Sequence, residues 1–222
     1  MISVCESTAP APFMAIGVPW DSPVHSLKDL KGKTIGVSSP GSFSDWLAHE
    51  LARKEGWGDN GIKTVGIGGA TAATISAFKT HQIDAEIGGA SQFFAFEQDK
   101  QGRLLSSVSA YEGNVASGML FASNALVGKN PNAIRAFVAG WIETVDYMRA
   151  HKAETVKIES GITHFNQEVM SKEYDLVIGM FTKACAFDAD SLKTLQRSFV
   201  DLKLLDTEPD MSKLYTETYL PR

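Results

Sequence analysis

The chain has 222 residues, of which 44% are hydrophobic and 21% are charged, and its formal net charge is −5. This composition is typical of a globular protein, and the length suits one large domain or two small ones. The sequence contains no lysine- or arginine-rich face, which argues against a nucleic-acid partner. No apolar run reaches the length of a membrane span, and the first residues lack the basic start and apolar stretch of a secretory signal.

The first half of the chain alternates predicted strands and helices. Short turns join them, which favours a parallel sheet with right-handed crossovers. Strands are predicted over 2–5, 13–18, 34–37, 64–67, 83–87 and 103–108. Helical segments are predicted as a brief turn over 26–30, a helix capped by Ser42 or Ser44 that ends at Gly56, a helix over 71–79, and a helix with core phenylalanines at 93, 94 and 96.

The second half is predominantly helical. A last strand is predicted over 119–122, and Asn130-Pro131 is typical of a helix N-cap followed by proline at the first helical position. The helix that follows carries one amphipathic stripe. Further helices are predicted over 168–183 and 191–205, and we expect the tail over 214–220 to pack through its aromatic residues. The predicted stripe contains Ile134, Phe137, Val138, Trp141, Ile142, Val145 and Met148.

Cys5 and Cys185 lie far apart in the sequence and form no metal-type or redox pair. Two thiols alone say little about the compartment in which the protein works. We expect two unpaired, buried cysteines, with a disulfide between them as the alternative.

Three strand-to-helix turns between residues 38 and 91 combine glycine with small hydroxyl residues. In a parallel sheet such turns meet at one edge, where helix N-termini gather free N–H groups and positive dipole ends. We therefore predict a site for a small polar or anionic ligand, with no lysine or arginine in the turns. The predicted site residues are Ser42, Phe43 and Ser44, then Gly69, Ala70 and Thr71, then Gly89, Ala90 and Ser91, with Asn114 and Ser117 as later ligand or hinge contacts.

Other interpretations of these motifs are weaker. The turns also suit the helix caps and tight turns that any α/β sheet needs. The run from Gly66 to Thr71 approaches a dinucleotide-binding fingerprint, with Glu86 near the end of the following strand, but Thr71 replaces its third glycine. We find no G-x-S-x-G elbow and no Ser/His/Asp or Cys/His set, so we predict no catalytic residues and no metal or cofactor.

The sequence resembles a known family at several points. Residues 27–37 read LKDLKGKTIGV and are followed by PGS at 40–42, similar to the DLKGKxIGV…GS segment of type II periplasmic binding proteins. QIDA at 82–85 resembles the G-x-I-D-A motif of that family. NP at 130–131 opens a helix that resembles the family's NP helix, with Phe137 in the phenylalanine position. The branch most resembled comprises the nitrate, sulfonate and taurine binders and the thiamine-precursor (NMT1-like) proteins.

The resemblance implies an α/β, two-lobed clamshell that closes by a hinge motion. Residues 13–110 would form a complete ligand-binding lobe with a parallel-rich sheet and flanking helices. Residues 1–12 and 111–222 would supply the crossovers, at 6–12 and 111–117, and a mainly helical remainder of the first lobe. Members of the family carry a further segment before the position of Met1, so we expect the first lobe to be incomplete. Its exposed apolar core leads us to predict a homodimer that hides it.

The implied function is the capture of a solute in an inter-lobe cleft and its delivery to the membrane subunits of an ABC transporter. The resemblance implies a periplasmic location, although the chain starts without a signal peptide. Two alternatives stay open: a thiamine-precursor biosynthetic enzyme of the same superfamily, or a ligand-sensing domain. That enzyme uses a histidine, a pyridoxal-phosphate lysine and a cysteine-rich iron motif, and two cysteines are too few for the motif. The sequence does not name the solute.

Overall fold

A computed structural model describes residues 1–8, 13–58, 60–112 and 114–221 of the chain. The chain divides into two compact units. Unit 1 comprises Met1–Ala11, Asn114–Ile162 and Val177–Arg222, and unit 2 comprises Pro12–Gly113 and Thr163–Leu176. The family resemblance implies that residues 111–222 return to the first lobe, whereas the structure groups residues 163–176 with unit 2.

Seven strands and eight α-helices are present in the described residues. The strands are β1 (Ile2–Thr8), β2 (Met14–Pro19), β3 (Thr34–Val37), β4 (Lys63–Gly66), β5 (Ala85–Gly89), β6 (Gly102–Ser107) and β7 (Gly118–Ala122). The helices are α1 (Phe43–Lys54), α2 (Thr71–Lys79), α3 (Ala90–Gln98), α4 (Asn124–Lys129), α5 (Pro131–Ala150), α6 (Lys152–Thr163), α7 (Gln167–Val177) and α8 (Ala189–Asp201).

Two predicted boundaries are wrong. β1 continues to Thr8, so its last three residues are strand where a crossover was expected from position 6; the rest of that predicted crossover, 9–12, lies outside the described residues. The helix expected over 168–183 ends at Val177 and passes into a 3₁₀ turn over Ile178–Met180. Residue 113 of the second predicted crossover also lies outside the described part of the chain.

Unit 2 contains a five-stranded sheet with the order β4-β3-β5-β2-β6. β3 pairs in parallel with β4 and with β5, as the strand–helix alternation predicts. β2 pairs antiparallel with both β5 and β6 and therefore separates two strands that are consecutive in the chain. The sheet is mixed because this strand enters from an earlier part of the chain and runs opposite to the other four strands.

The core of unit 2 lies between its sheet and its helices. Phe93 and Phe96 on α3 are buried against Phe78 on α2, which confirms the prediction that the aromatic helix packs inward. Gly17 on β2 makes this packing feasible, because a Cβ at that position would overlap the ring of Phe93. Leu176 of α7 also packs against this core.

Unit 1 contains a two-stranded antiparallel sheet of β1 and β7, against which α5 packs. The tail packs onto the same core through Tyr219, as predicted. Ile134, Val138 and Val145 of the predicted stripe are buried, but Phe137 is 61% exposed. Phe137 lies at one border of the stripe. The core of unit 1 contacts α5 through the other residues of the stripe, among them Ile134 and Val138.

Two interactions join β1 to the segment that precedes α8. Cys5 and Cys185 form a disulfide, which corrects the expectation of two unpaired cysteines; spacing along the chain could not show that their Cα atoms lie 4.6 Å apart. The fully buried Glu6 accepts hydrogen bonds from the Asp188 N–H at 2.6 Å and from the Ser191 hydroxyl. Burial raises the pKa of the Glu6 carboxyl despite these hydrogen bonds, which favour its charged form.

We predict that the disulfide is a major source of stability in unit 1. The crosslink spans 180 residues, and chain entropy alone then favours the folded state by about 5 kcal/mol. The double variant Cys5→Ala/Cys185→Ala should lose roughly 3 to 5 kcal/mol of unfolding free energy, measured by urea denaturation. A reductant should destabilise the wild type and leave the double variant unchanged; an equal effect on both proteins would contradict the prediction.

Candidate ligand-binding site

The three strand-to-helix turns lie at one edge of the sheet in unit 2. β4, β3 and β5 are adjacent and parallel, so all three strands end at this edge and α2, α1 and α3 begin there. The N-terminal N–H groups and positive dipole ends of three helices are therefore gathered at the carboxyl ends of parallel strands.

The first turn is a network of serine hydroxyls. The Ser42 side chain caps α1 by accepting from the Asp45 N–H at 3.3 Å. The buried Ser44 hydroxyl lies 3.0 Å from the Ser42 hydroxyl and accepts from the Ser38 N–H at 3.0 Å. The carboxylate of Asp45 in turn accepts from the Gly41 N–H at 2.8 Å. These bonds hold the turn in one shape and leave the exposed Ser38 at its surface.

The second turn leaves the start of α2 open. Gly68 adopts a positive φ of 76° and its N–H bonds to the Ser38 carbonyl at 3.1 Å, which ties the turn to the end of β3. Ala70 occupies the N-cap position of α2 and provides no side-chain cap. Ala70 and Thr71 are exposed, and the Thr71 hydroxyl lies 3.5 Å from the Gln92 side-chain oxygen.

The third turn is engaged by the protein itself. Gly89 is the N-cap of α3, and Ala90 is buried with its N–H bonded to the Phe13 carbonyl at 2.8 Å. Ser91 donates its N–H and its hydroxyl to the carboxylate of Glu173 on α7. Burial raises the pKa of the Glu173 carboxyl, although the bonds from Ser91 act in the opposite direction. A carboxylate of α7 thus occupies the anion position at the start of α3.

A concavity of about 260 Å³ lies between the turns. Four of the predicted site residues line it: Phe43, Ser44, Gly69 and Gly89. Other predicted residues of the same turns are near the concavity without lining it, namely Ser42, Ala70, Thr71, Ala90 and Ser91. Asn114 and Ser117 belong to unit 1. The remaining lining residues are Met14, Ser38, Gly68, Glu86, Ile87, Gly88 and Gln92.

Glu86 is the lining residue whose importance the sequence analysis missed. It lies on β5 and is 3% exposed. Its carboxylate accepts hydrogen bonds from the Thr74 hydroxyl of α2 at 3.0 Å and from the Gln92 amide of α3 at 2.9 Å. Burial raises the pKa of Glu86 to about 7, because the loss of hydration outweighs the two hydrogen bonds that favour the charged form.

A signal for Glu86 exists in the sequence. It is the acidic residue in the otherwise apolar strand that runs into Gly88-Gly89, and an acidic residue within a buried strand needs partners. Its partners, Thr74 and Gln92, come from two different helices, so spacing along the chain could not identify them.

In residues 1–8, 13–58, 60–112 and 114–221, no group of three or more His, Cys, Asp or Glu side chains could hold a metal ion. None of the helices in these same ranges combines the length and the apolar character needed to cross a membrane.

One known protein family matches most of this chain. The family model described as NMT1/THI5 like matches residues 3–155. This chain belongs to the NMT1/THI5-like family. No curated protein matches the sequence.

Solved structures share the fold of this family member. The periplasmic aliphatic sulphonate binding protein SsuA from Escherichia coli matches with a TM-score of 0.78 and 19% identity, over 96% of this chain and 68% of that chain. The alkanesulfonate-binding protein SsuA from Xanthomonas axonopodis pv. citri, bound to MOPS, matches with a TM-score of 0.74 and 19% identity, over 97% and 73%. The desulfurization enzyme DSZB matches with a TM-score of 0.66 and 14% identity, over 99% and 77%.

These likenesses confirm the predicted α/β fold of type II periplasmic binding proteins. At such low identity they show the fold alone. The same fold is used by binding proteins and by an enzyme, so the function must be argued from the site.

We predict that the Glu86 carboxyl makes the stability of this protein depend on pH. Its pKa is about 7 when folded and 4.5 in the reference state, so the folded state binds more protons between these values. The unfolding free energy therefore falls as pH rises through this window, by about 3 kcal/mol in total. Glu86→Gln should remove this loss, measured by urea denaturation from pH 4 to pH 8.

The matched control is Glu208→Gln, which neutralises an exposed carboxylate. The unfolding free energy of this variant should follow the wild-type pH profile, because Glu86 and the other buried carboxyls are present in both proteins. A pH profile of Glu86→Gln that runs parallel to that of the wild type would contradict a raised pKa for Glu86.

Proposed function

We propose that this chain binds a small polar or anionic solute at the concavity of unit 2 and delivers it to the membrane subunits of an ABC importer. The observation that carries the proposal is that three helices begin around a concavity lined in part by serine and glycine, with the start of α2 left open and the start of α3 engaged by Glu173. Such an edge provides backbone donors and hydroxyls to a ligand without a dedicated cation.

Two further observations support this proposal. Proteins with the same fold include two whose names state sulfonate binding, one of them in complex with MOPS. The buried disulfide between Cys5 and Cys185 is typical of exported proteins and supports a periplasmic location.

An enzymatic function is the second candidate, and one observation favours it. Glu86 is a buried carboxyl with a pKa of about 7 beside a concavity, as is common for catalytic acids and bases. The fold is also that of a desulfurization enzyme. The thiamine-precursor branch is less favoured, because both cysteines of the sequence form the disulfide and none is left for its iron motif. A product formed from a bound solute would decide for an enzyme.

The predicted homodimer has no support in the comparisons and stays a prediction. Exposed apolar side chains of unit 1, including Phe121 and Leu214, line a groove that such a dimer would cover. Sedimentation at increasing protein concentration would test it.

We predict that solute binding can be blocked at Gly69. A Cβ at Gly69 meets no heavy atom within 4 Å and this glycine lines the concavity, so Gly69→Phe should fill the site without straining the fold. A sulfonate, nitrate or small carboxylate at about 100 times its Kd should stabilise the wild type by roughly 2.7 kcal/mol and leave Gly69→Phe unaffected. Thermal unfolding with and without each solute measures both effects.

Gly128→Phe is the matched control. Gly128 is an exposed glycine of α4 in unit 1, and a Cβ there is equally unobstructed. The control should keep the full response to solute. Equal stabilisation of Gly69→Phe and the wild type would locate binding elsewhere, and the absence of any response in the wild type would count against the proposed function.

A further inference from the structure

The start of α3 is closed by a carboxylate from a distant part of the chain. Gly89, the N-cap of α3, provides no side-chain cap, and the Ala90 N–H is bonded to the Phe13 carbonyl. The Ser91 N–H and the Ser91 hydroxyl both donate to the Glu173 carboxylate of α7. By contrast, α1 is capped from its own sequence, and the start of α2 has no side-chain cap. The start of α3 is therefore held by another helix rather than by its own turn.

This contact lies beside the concavity of unit 2. Gly89 lines the concavity, and a Cβ built on Gly89 would lie 3.8 Å from the Ser91 hydroxyl oxygen. Gln92, the next residue of α3, also lines it. The donors that Glu173 engages are thus adjacent to the space that a solute would fill, and N–H and hydroxyl donors at a helix start suit an anionic or strongly accepting group. A solute that accepts from them must first displace the carboxylate.

Helix α7 runs antiparallel to α3, and two contacts about two helical turns apart fix its register. Asn166, just before α7, donates from its side-chain amide to the Gln98 side-chain oxygen at 2.7 Å, at the end of α3. Glu173 and Ser91 make the second contact at the start of α3. These contacts explain why residues 163–176 belong to unit 2 although the chain on either side of them belongs to unit 1.

The Glu173 carboxylate is held at a cost in hydration. Burial raises the pKa of this carboxyl, and the hydrogen bonds from Ser91 offset the effect only in part. The neighbouring Lys172 pairs with Glu168 at 3.3 Å, and both of these side chains are exposed. Because Glu173 gives up water for the donors of one serine, a solute can compete for those donors. α7 also has a buried apolar face, so release of Glu173 loosens this helix without detaching it.

We propose that Glu173 is an autoinhibitory group of this site: its carboxylate occupies the start of α3, and a solute that binds in the concavity displaces it and loosens α7. The inference rests on the proposed function and adds its regulation. The carboxylate and the solute compete for the same donors of Ser91, so the closed contact lowers the affinity for solute. α7 thereby differs between the solute-free and the solute-bound protein.

The fraction of molecules in which the contact is open sets the size of the effect. The apparent Kd of a ligand rises by the inverse of the fraction of protein that is competent to bind it. A contact that is open in about one molecule in ten therefore raises the apparent Kd about tenfold. Glu173→Gln keeps the size of the side chain and a carbonyl acceptor, but it lacks the charge that strengthens the bonds from Ser91. This variant should shift the contact toward its open form.

Titration calorimetry on the full chain tests the competition, with ethanesulfonate, nitrate and propionate as probes. Glu173→Gln should bind the probes about tenfold more tightly than the wild type does. Glu168→Gln is the matched control, because Glu168 is an exposed glutamate of the same helix. The control should keep the wild-type affinity. A gain in Glu168→Gln equal to that in Glu173→Gln would reveal a general effect of charge and overturn the inference.

Amide hydrogen exchange tests the displacement, and a merely structural role of Glu173 would leave this measurement unmoved. In the wild type, exchange of the α7 amides should become about tenfold faster when a probe saturates the protein. In Glu173→Gln the same amides should exchange faster without any probe and should change little when a probe is added. If Glu173→Gln does not fold, the exchange of the wild type with and without probe decides the question by itself.

The failures of the two proposals are distinguishable. If Glu173→Gln binds the probes as tightly as the wild type or more weakly, the inference is overturned while the proposed solute-binding function stands. The same holds if a bound probe slows the exchange of α7 or leaves it unchanged. Binding of a probe by Glu173→Gln alone would support the inference. If none of the three probes binds to either protein at millimolar concentration, both the proposed function and the inference are overturned.

Discussion

Parallel pairing of β3 with β4 on one side and with β5 on the other is the constraint on which the candidate site depends. Strands that run in the same direction end at the same edge, so each following helix must begin there. The turns then bring polar backbone close together in a small space. Glycine at 68, 69, 88 and 89 leaves that space open, whereas side chains at these positions would extend into the concavity. The chemical character of the site follows from strand direction first and from side chains second.

Unit 1 depends on contacts between distant parts of the chain. β1 pairs with β7, is crosslinked to Cys185, and receives the tail through a bond from the Ser3 N–H to the Leu214 carbonyl at 2.8 Å. Glu6 joins the same strand to the start of α8 across 185 positions. Closing such long loops is entropically costly, so several interactions on one short strand are needed to hold it. The disulfide reduces that cost in the unfolded state.

Buried carboxyls recur in this protein, and they have different consequences. Glu6 and Glu173 meet the starts of helices, where N–H donors compensate part of the loss of hydration. Glu86 meets a hydroxyl and a side-chain amide instead, beside an open concavity. A buried charge with neutral partners contributes little to stability, because the loss of hydration offsets its hydrogen bonds.

Much of the fold could be predicted because its signals are local. Helical spacing and caps identified α1, α2, α5 and α8 closely, and glycine-bounded apolar runs identified the strands of unit 2. Two elements escaped notice: α4 and α6, since neither has a strong apolar stripe or a pronounced buried face. The insertion of β2 between β5 and β6 was also missed, because strand order depends on pairing between residues about 70 positions apart.

The sequence by itself determined the alternation of strands and helices, the glycine-rich turns and the family resemblance, because propensity, periodicity and turn chemistry act over a few residues. Only the tertiary structure decided that Cys5 meets Cys185, that Phe137 faces outward, and that Ser91 is engaged by Glu173. It also decided the partners of Glu86, because Thr74 and Gln92 come from two other segments of the chain. The pKa of a carboxyl and its availability to a ligand depend on the burial and partners that other segments supply, and those are set by the packing of the whole unit.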